Sequence, residues 1–283
     1  MNIEQAVKKA ADILKNGKSR INIPSLDASL ILCQVIDKDR IYIIAHSDKE
    51  LSAEQERIYF ENINKRADGE PLAYITGVKQ FMGLDFFVDN SVLIPRDDTE
   101  ILVRCVLDFA RTFNKPKILN IGTGSGCVEA ALAKYNKDSV ITGIEKYEKA
   151  LTVARRNVSH HKLDDRITLI RSDMFVSVDK DNKYDIICSN PPYITKDEME
   201  GLDIDVMRYE PHTALYGGEN GLDFYKIIAE ESKQFLNPFG YIAVEIGYAQ
   251  RQDAAEIFTA SGYKNITCHK DLSNHDRVIT ANI

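Results

Sequence analysis

Along the first seventy residues, apolar side chains recur at helical spacing. Ile3, Ala6, Val7, Ala10, Ile13 and Leu14 share one face. Pro24 stands at the start of a second apolar stretch, Leu26 to Val35, where its fixed φ suits a first helical turn. Ser52 with Gln55 three residues on has the pattern of a capping box and predicts a third helix. Residues 1–70 therefore read as a small helical bundle, with no glycine-rich loop and no cluster of titratable groups. Between 71 and 90 the pattern changes. Ala73–Gly77 and Phe81–Val88 are rich in aromatic and β-branched residues, with Gly77 and Gly83 as breaks, and predict a β-hairpin connector. From 91 to 283 short apolar runs alternate with helical stretches. Candidate strands are Lys117–Ile121, Val140–Glu145, Ile167–Arg171, Tyr184–Ser189, Tyr241–Ile246, Tyr263–His269 and Arg277–Ala281. That alternation predicts an α/β fold, a doubly wound and mainly parallel sheet covered on both faces, with ligands beyond the carboxyl ends of the strands.

Composition adjusts this picture in a few places. At 283 residues with 44% hydrophobic and 28% charged side chains, the chain can build an ordinary core. A net charge of -7 and 11 Lys and Arg against 12 Asp and Glu in the first 70 residues argue against a domain that grips nucleic acid through many phosphates. The five cysteines form no CxxC pair, which fits a reducing, cytoplasmic setting and predicts neither a disulfide framework nor a metal site. Charged residues in the first turns predict no signal peptide, and no apolar run reaches membrane-spanning length. A monomer is expected.

Two motifs stand at predicted strand ends. The first is Asn120-Ile121-Gly122-Thr123-Gly124-Ser125-Gly126, between the strand Lys117–Ile121 and the apolar stretch Val128–Ala133. Glycines there allow a tight turn and close approach of backbone to a ligand. Glu145 closes the next strand, where a carboxylate can accept hydrogen bonds from both hydroxyls of a ribose. A lone glycine loop is also an ordinary strand-to-helix turn; strand, loop, helix, strand and acid in one unit strengthen the ligand-binding reading over that one. The third glycine comes one residue earlier than in the dinucleotide fingerprint, which makes a nicotinamide dehydrogenase a distant reading. Gly-x-Gly-x-Gly resembles the first motif of class I methyltransferases, whose cofactor, S-adenosylmethionine, carries no phosphate. By the same resemblance Asp173 and Met174, in the Ser172-Asp173-Met174 turn, meet the adenine; an ordinary Ser-Asp turn explains them equally well.

The second motif, Asn190-Pro191-Pro192-Tyr193, follows the strand Tyr184–Ser189. Its prolines stiffen the backbone and hold two acceptors, the Asn190 side chain and the Pro191 carbonyl, at fixed places. An amide or aromatic amino nitrogen has a delocalised lone pair and is a poor nucleophile. Two acceptors on its N–H bonds aim that lone pair at a sulfonium methyl and stabilise the positive charge that develops, and close placement supplies much of the remaining rate. Tyr193 can stack on the planar group. The tetrad suits adenine-N6, guanine-N2 and glutamine amide methylation alike, so by itself it leaves the nitrogen open.

Further segments are Pro71-Leu72-x-Tyr74-Ile75-x-Gly77, Phe81-x-Gly83-Leu84, Leu93-Ile94-Pro95-Arg96-x-Asp98-Thr99-Glu100, Tyr209-Glu210-Pro211-x-x-Ala214-Leu215-x-Gly217-Gly218-x-x-Gly221-Leu222 and Asp276-Arg277-Val278. Together with both motifs they resemble the release-factor glutamine N5-methyltransferase family over nearly the whole length. The resemblance implies a protein substrate, the glutamine of the Gly-Gly-Gln loop of peptide chain release factors. It implies cofactor contacts at Gly122, Thr123, Gly124, Ser125, Gly126, Glu145 and Asn190, and a substrate amide held by Asn190, Pro191, Pro192 and Tyr193. It also makes residues 1–70 a substrate-recognition domain and 91–283 the catalytic domain. Pro95–Glu100 would begin a helix over the active site, although Asp97-x-x-Glu100 is also a plain capping box. The departures are Asn120 in place of an acid, Asp97 in place of a proline, a charged Glu129 on the loop helix, and Met174 where an aromatic residue often stands. The rival readings are a nucleic-acid N-methyltransferase and a non-enzymatic cofactor-binding protein. His160-His161 is expected at the solvated end of a helix, and the acids at 197, 198, 200, 203 and 205 in a mobile loop.

Overall fold

In the computed structural model of the chain, residues 1–18 and 21–283 are described. In chain order the elements are α1 (Ile3–Lys15), α2 (Pro24–Ile36), α3 (Arg40–Ala45), α4 (Ala53–Ala67), α5 (Leu72–Thr76), β1 (Val78–Phe81), β2 (Leu84–Phe87), α6 (Thr99–Ala110), β3 (Lys117–Ile121), α7 (Cys127–Tyr135), β4 (Val140–Glu145) and α8 (Glu148–His160). Then follow β5 (Ile167–Arg171), β6 (Tyr184–Ser189), α9 (Lys196–Glu200), α10 (Ile204–Tyr209), α11 (Asp223–Glu231), β7 (Leu236–Glu245), α12 (Arg251–Ala260), β8 (Lys264–Lys270) and β9 (Asp276–Asn282). They form two compact units: Met1–Val78 with Leu202–Glu210, and Lys79–Gly201 with Pro211–Ile283.

The helical unit follows its sequence signals closely. Asn2 caps α1 and exchanges hydrogen bonds with Gln5; Ser52 and Gln55 do the same for α4. Pro24 occupies the first turn of α2, whose own backbone N–H would be unpaired there anyway. Ile3, Ala10, Leu14, Ile31, Leu32, Tyr59 and Ile63 make its buried core. The Tyr59 hydroxyl satisfies itself on the Ala28 carbonyl at 3.0 Å, and Arg66 pairs with Asp27 at 2.8 Å. The unit also contains α3, capped by Asp39, a helix too short to announce itself by periodicity.

The connector differs from expectation in its first half. Residues 73–76 lie in α5 and not in a strand. Pro71 presets the backbone at its start, Gly77 ends it in the left-handed region at φ 73°, and Leu72 and Ile75 pack on the helical core. Burial has outweighed the β propensity of Tyr74 and Ile75. The hairpin itself is β1 and β2, four residues each.

The second unit holds a seven-stranded sheet of order β5-β4-β3-β6-β7-β9-β8. All neighbours from β5 to β7 are parallel, while β9 runs antiparallel to both β7 and β8. Apolar clusters cover the two faces, α6 and α7 contributing to one and α11 and α12 to the other. The four strands β3, β4, β5 and β6 coincide with the runs read from sequence; the central pair β3 and β6, buried on both faces, are near-continuous apolar segments, and β5 is the partly exposed edge strand. The chain order reverses between β3 and β6, which is the switch point where such sheets open a ligand crevice.

Candidate active site

The two chemical motifs leave the sheet side by side. In the parallel pair β3 and β6, Ile121 lies opposite Ser189, so the next residues, Gly122 and Asn190, start their loops at one level. A side chain on Gly122 would place its Cβ 3.9 Å from the Asn190 carbonyl oxygen. Gly122, Gly124 and Gly126 have φ of 79°, 55° and 80°, so alternate residues of this loop adopt a conformation that L side chains resist. The spacing of the motif is therefore a backbone requirement. At Gly126 there is a second reason, since a Cβ would come within 3.2 Å of Ala154 on α8.

Glu145 ends β4 and ties down the loop opposite it. Its Oε2 accepts from the Gly124 N–H and its Oε1 from the Tyr147 N–H, each at 3.0 Å. Both oxygens keep a second acceptor position, so the carboxylate can hold the loop and still receive ribose hydroxyls. A cavity opens here, lined by Gly122 to Ser125, Glu145, Asp173, Met174, Asn190, Pro191 and Pro192, and by Ser91 to Leu93, Pro95, Arg96, Thr99, Thr213 and Phe224. Gly126 and Tyr193 are not among its lining residues. A glycine-rich loop, a carboxylate and an apolar lining that includes Met174 and Phe224 fit a nucleoside without phosphates better than a pyrophosphate. Asp173 stands at the rim in a half-exposed ion pair with Lys146 at 2.7 Å. The Ser172 hydroxyl donates to the Met174 carbonyl at 2.6 Å and accepts from the Ser177 N–H, which is an ordinary Ser turn presenting Met174.

The tetrad is braced from several sides. Asn190 donates through Nδ2 to the Thr99 hydroxyl at 3.0 Å. The Tyr193 hydroxyl donates to Oε1 of Glu245, at the carboxyl end of β7, at 3.3 Å. The Tyr193 carbonyl accepts from Gln250 at 2.9 Å. Ile194 donates to the Leu215 carbonyl and accepts from the Gly217 N–H, each at 2.9 Å. The glycine-rich 214–222 segment thus packs on the tetrad backbone, and a Cβ at Gly217 would meet the Pro192 oxygen and the Tyr193 Cα at 2.7 Å. Tyr193 is directed by its bond to Glu245, and burial first of all raises its phenol well above the ordinary range.

Two departures noted in the sequence explain each other. Asn120 at the end of β3 donates through Nδ2 to Oε1 of Glu129 on α7 at 2.8 Å, and Glu129 is fully buried. Burial pushes the Glu129 carboxyl up to about 7 against the opposing pull of Asn120. Among the described residues its Oε2 has no hydrogen-bond partner. The two departures are thus partners, the amide at 120 donating to the helix carboxyl at 129. Asp97-x-x-Glu100, by contrast, is not a capping box. Asp98 is the N-cap residue of α6 without a side-chain cap, and Glu100 accepts from the Met82 N–H at 3.0 Å.

Thr99, Glu245 and Gln250 were not identified from sequence as site residues. An acid ending the apolar run Tyr241–Val244 was the available signal for Glu245, parallel to Glu145 after Val140–Ile144. His161 is not simply solvated: its Nε2 lies 2.9 Å from the Asp85 carbonyl and its ring packs on Phe86. Of the acids after the tetrad, 197, 198 and 200 lie in α9, whereas 203 and 205 belong to the segment of α10 that counts with the helical unit.

The sheet order and the motif-bearing switch point define a protein of the class I methyltransferase type. Residues 5–77 match the PrmC N-terminal domain family and residues 97–207 the methyltransferase small domain family. The release factor glutamine methyltransferase of Clostridium acetobutylicum is 39% identical over 282 residues, which is 99% of this chain and 98% of that protein. A bifunctional methyltransferase of Rickettsia typhi is 36% identical over 98% of this chain, which spans 57% of it. A methyltransferase of Pyrococcus furiosus has the same fold, with a TM-score of 0.51 at 21% identity, covering 82% of this chain and 98% of that one. This chain belongs to the release factor glutamine methyltransferase family. No helix among the described residues is long and apolar enough to cross a membrane.

Proposed function

We propose that this chain transfers a methyl group from S-adenosylmethionine to the side-chain amide nitrogen of the glutamine in the Gly-Gly-Gln loop of peptide chain release factors. The observation that carries this reading is the placement of Asn190-Pro191-Pro192 beside the Gly122–Gly126 loop, on adjacent parallel strands in register. Near-complete coverage of a named relative, helical domain included, supports the choice of substrate.

S-adenosylmethionine, when bound, supplies an electrophilic methyl on a sulfonium sulfur. Gly122, Thr123, Gly124, Ser125 and Gly126 would cradle the donor, Glu145 would receive its ribose hydroxyls, and Asp173 and Met174 would border the adenine. The Asn190 Oδ1 and the Pro191 carbonyl accept the two N–H bonds of the glutamine amide. Held so, the nitrogen directs its lone pair toward the methyl and its developing positive charge meets two oriented dipoles. No base is needed beforehand, and the proton departs after transfer. Tyr193 contributes through its bond to Glu245 and its carbonyl, bracing the end of the tetrad. The helical domain recognises the release factor, and the enzyme acts as a cytoplasmic monomer without stable nucleic-acid or membrane contact.

Transfer of labelled methyl to purified release factor tests this, beside a factor whose loop glutamine is changed to alanine and a sample of duplex DNA. Label on the intact factor alone is the expected result. Label on DNA, or on both factors equally, would overturn the assigned nitrogen.

A further inference from the structure

One buried carboxylate reaches both ends of the tetrad. Glu245 is 1% exposed, accepts from the Tyr193 hydroxyl at 3.3 Å, and lies beside Thr99, whose hydroxyl accepts from Asn190 Nδ2 at 3.0 Å. Among the described residues its Oε2 has no hydrogen-bond partner of ordinary geometry. Thr99 is 3% exposed. A buried hydroxyl that already accepts one bond has a proton to place, and an ionised carboxylate accepts only.

We propose that Glu245 is a positioning residue that, through Thr99, decides which end of the Asn190 amide faces the substrate. This rests on the function proposed above. With Glu245 ionised, the Thr99 O–H points to the carboxylate. The Thr99 lone pair must then take an N–H from Asn190, which leaves Oδ1 free to accept from the substrate amide. With Glu245 protonated, the carboxyl donates to Thr99, Thr99 donates onward, and Asn190 turns its Nδ2 toward the substrate. An NH2 group there opposes two N–H bonds and cannot orient the lone pair. The amide orientation is thus fixed by a polarity chain and not by shape, since the two ends of an asparagine amide are nearly isosteric.

The groups facing Glu245 set when this chain reverses. Burial raises its carboxyl most, to about 7; Thr99, Arg277 and Tyr193 favour the charged form, and Asp98 disfavours it. Tyr225 on α11 also lies near. Arg277 is shared with Asp271 at 2.9 Å and Asp98 at 3.2 Å, so its charge is divided among three carboxylates. The competent form exists above the Glu245 transition and is lost as pH falls through it.

The deciding experiment follows the Asn190 side-chain amide by NMR in the full chain, identified by its absence from Asn190→Asp. Wild type is expected to show a pH-dependent shift with a midpoint near 7. Glu245→Gln should abolish that shift, and Thr99→Val should uncouple Asn190 from it. A signal without that titration, or one that still titrates in Thr99→Val, would overturn the proposal without any use of the substrate. Methyl transfer then separates this inference from the function on which it rests. No transfer by wild type to release factor would count against that function alone. If wild type transfers, kcat should rise with pH through the same midpoint and be flat in Glu245→Gln. Thr99→Val should lose about 10²-fold in kcat with cofactor affinity kept, the scale of a displaced reacting geometry, and Thr99→Ser should recover most of it. A Thr99→Val enzyme with wild-type kcat would contradict the relay, and so would a Thr99→Ser enzyme no better than Thr99→Val. Should Glu245→Gln fail to fold, the two Thr99 variants still decide.

Discussion

The loop after β3 and the tetrad after β6 solve one problem, fixing polar groups at the mouth of a sheet, in opposite ways. The loop uses residues with no side chain, held in the left-handed region and tied by Glu145 to a neighbouring strand. The tetrad uses two prolines and is braced from outside, by Thr99, Glu245, Gln250 and the 214–222 segment. Each rests against a fully buried glutamate with one unpaired oxygen, Glu129 beside the loop and Glu245 behind the tetrad. The difference lies in their neighbours. Glu129 has an amide donor and the nearby Thr123 hydroxyl, whereas Glu245 has hydroxyl neighbours, one of which accepts from a tetrad side chain, and a nearby guanidinium. A hydroxyl can reverse its hydrogen bond, and behind the tetrad that reversal passes through Thr99 to the Asn190 amide, whereas beneath the loop the Thr123 hydroxyl is committed to the Ile144 backbone carbonyl.

The comparison is most sharply broken at Gly217. In Gly217→Ala the new Cβ meets tetrad backbone at 2.7 Å, with no flexible side chain to yield. We expect kcat to fall by roughly 10²-fold or more while cofactor affinity, measured by calorimetry, changes little. Gly143→Ala is the counterpart beneath the loop. Its Cβ would lie 2.5 Å from the Glu129 carboxylate and 2.6 Å from the Thr123 hydroxyl. Cofactor affinity should weaken about tenfold and stability should fall by about 1–3 kcal/mol, the usual scale of overpacking. A Gly143→Ala enzyme that loses kcat alone would mean that the two supports are not separate.

Glu129→Gln gives an effect that depends on pH. A carboxyl raised to about 7 in the fold binds its proton more tightly there than in the unfolded chain. It favours the fold at low pH, and that contribution disappears as pH rises from the unfolded value through about 7. Denaturant unfolding of Glu129→Gln against wild type should therefore show the variant gaining relative stability between pH 5 and pH 8, by on the order of a few kcal/mol. A difference independent of pH would show that Glu129 is not held in this way. The smallest effect is expected at Asp173. Its pair with Lys146 is more than half exposed on both sides, so Asp173→Asn should leave the thermal unfolding midpoint unchanged within measurement error.

The sequence was most legible where backbone requirements are strict. Strands buried on both faces, three alternate glycines, and a proline-stiffened tetrad each have few alternative readings, and the fold class and both motifs followed from them. It was least legible where partners are distant in the chain. Residues 73–76 have β propensity and became helical because the helical core lay on one side of them. Asp97 and Glu100 have capping-box spacing, yet Glu100 turned to the hairpin at Met82. Asn120 and Glu129 stand nine residues apart with no local pattern that pairs them, and the fold makes one the donor to the other. Thr99 and Glu245 lie 91 and 55 residues from Asn190 in sequence, and no local pattern joins them.

The central claim is that Asn190 orients the substrate nitrogen and is not chiefly a cofactor ligand. Asn190→Ala tests it most directly, by measuring methyl transfer to release factor and cofactor affinity in the same preparation. Transfer should be abolished while affinity falls only modestly. A loss of affinity equal to the loss of rate would contradict the role assigned to that side chain.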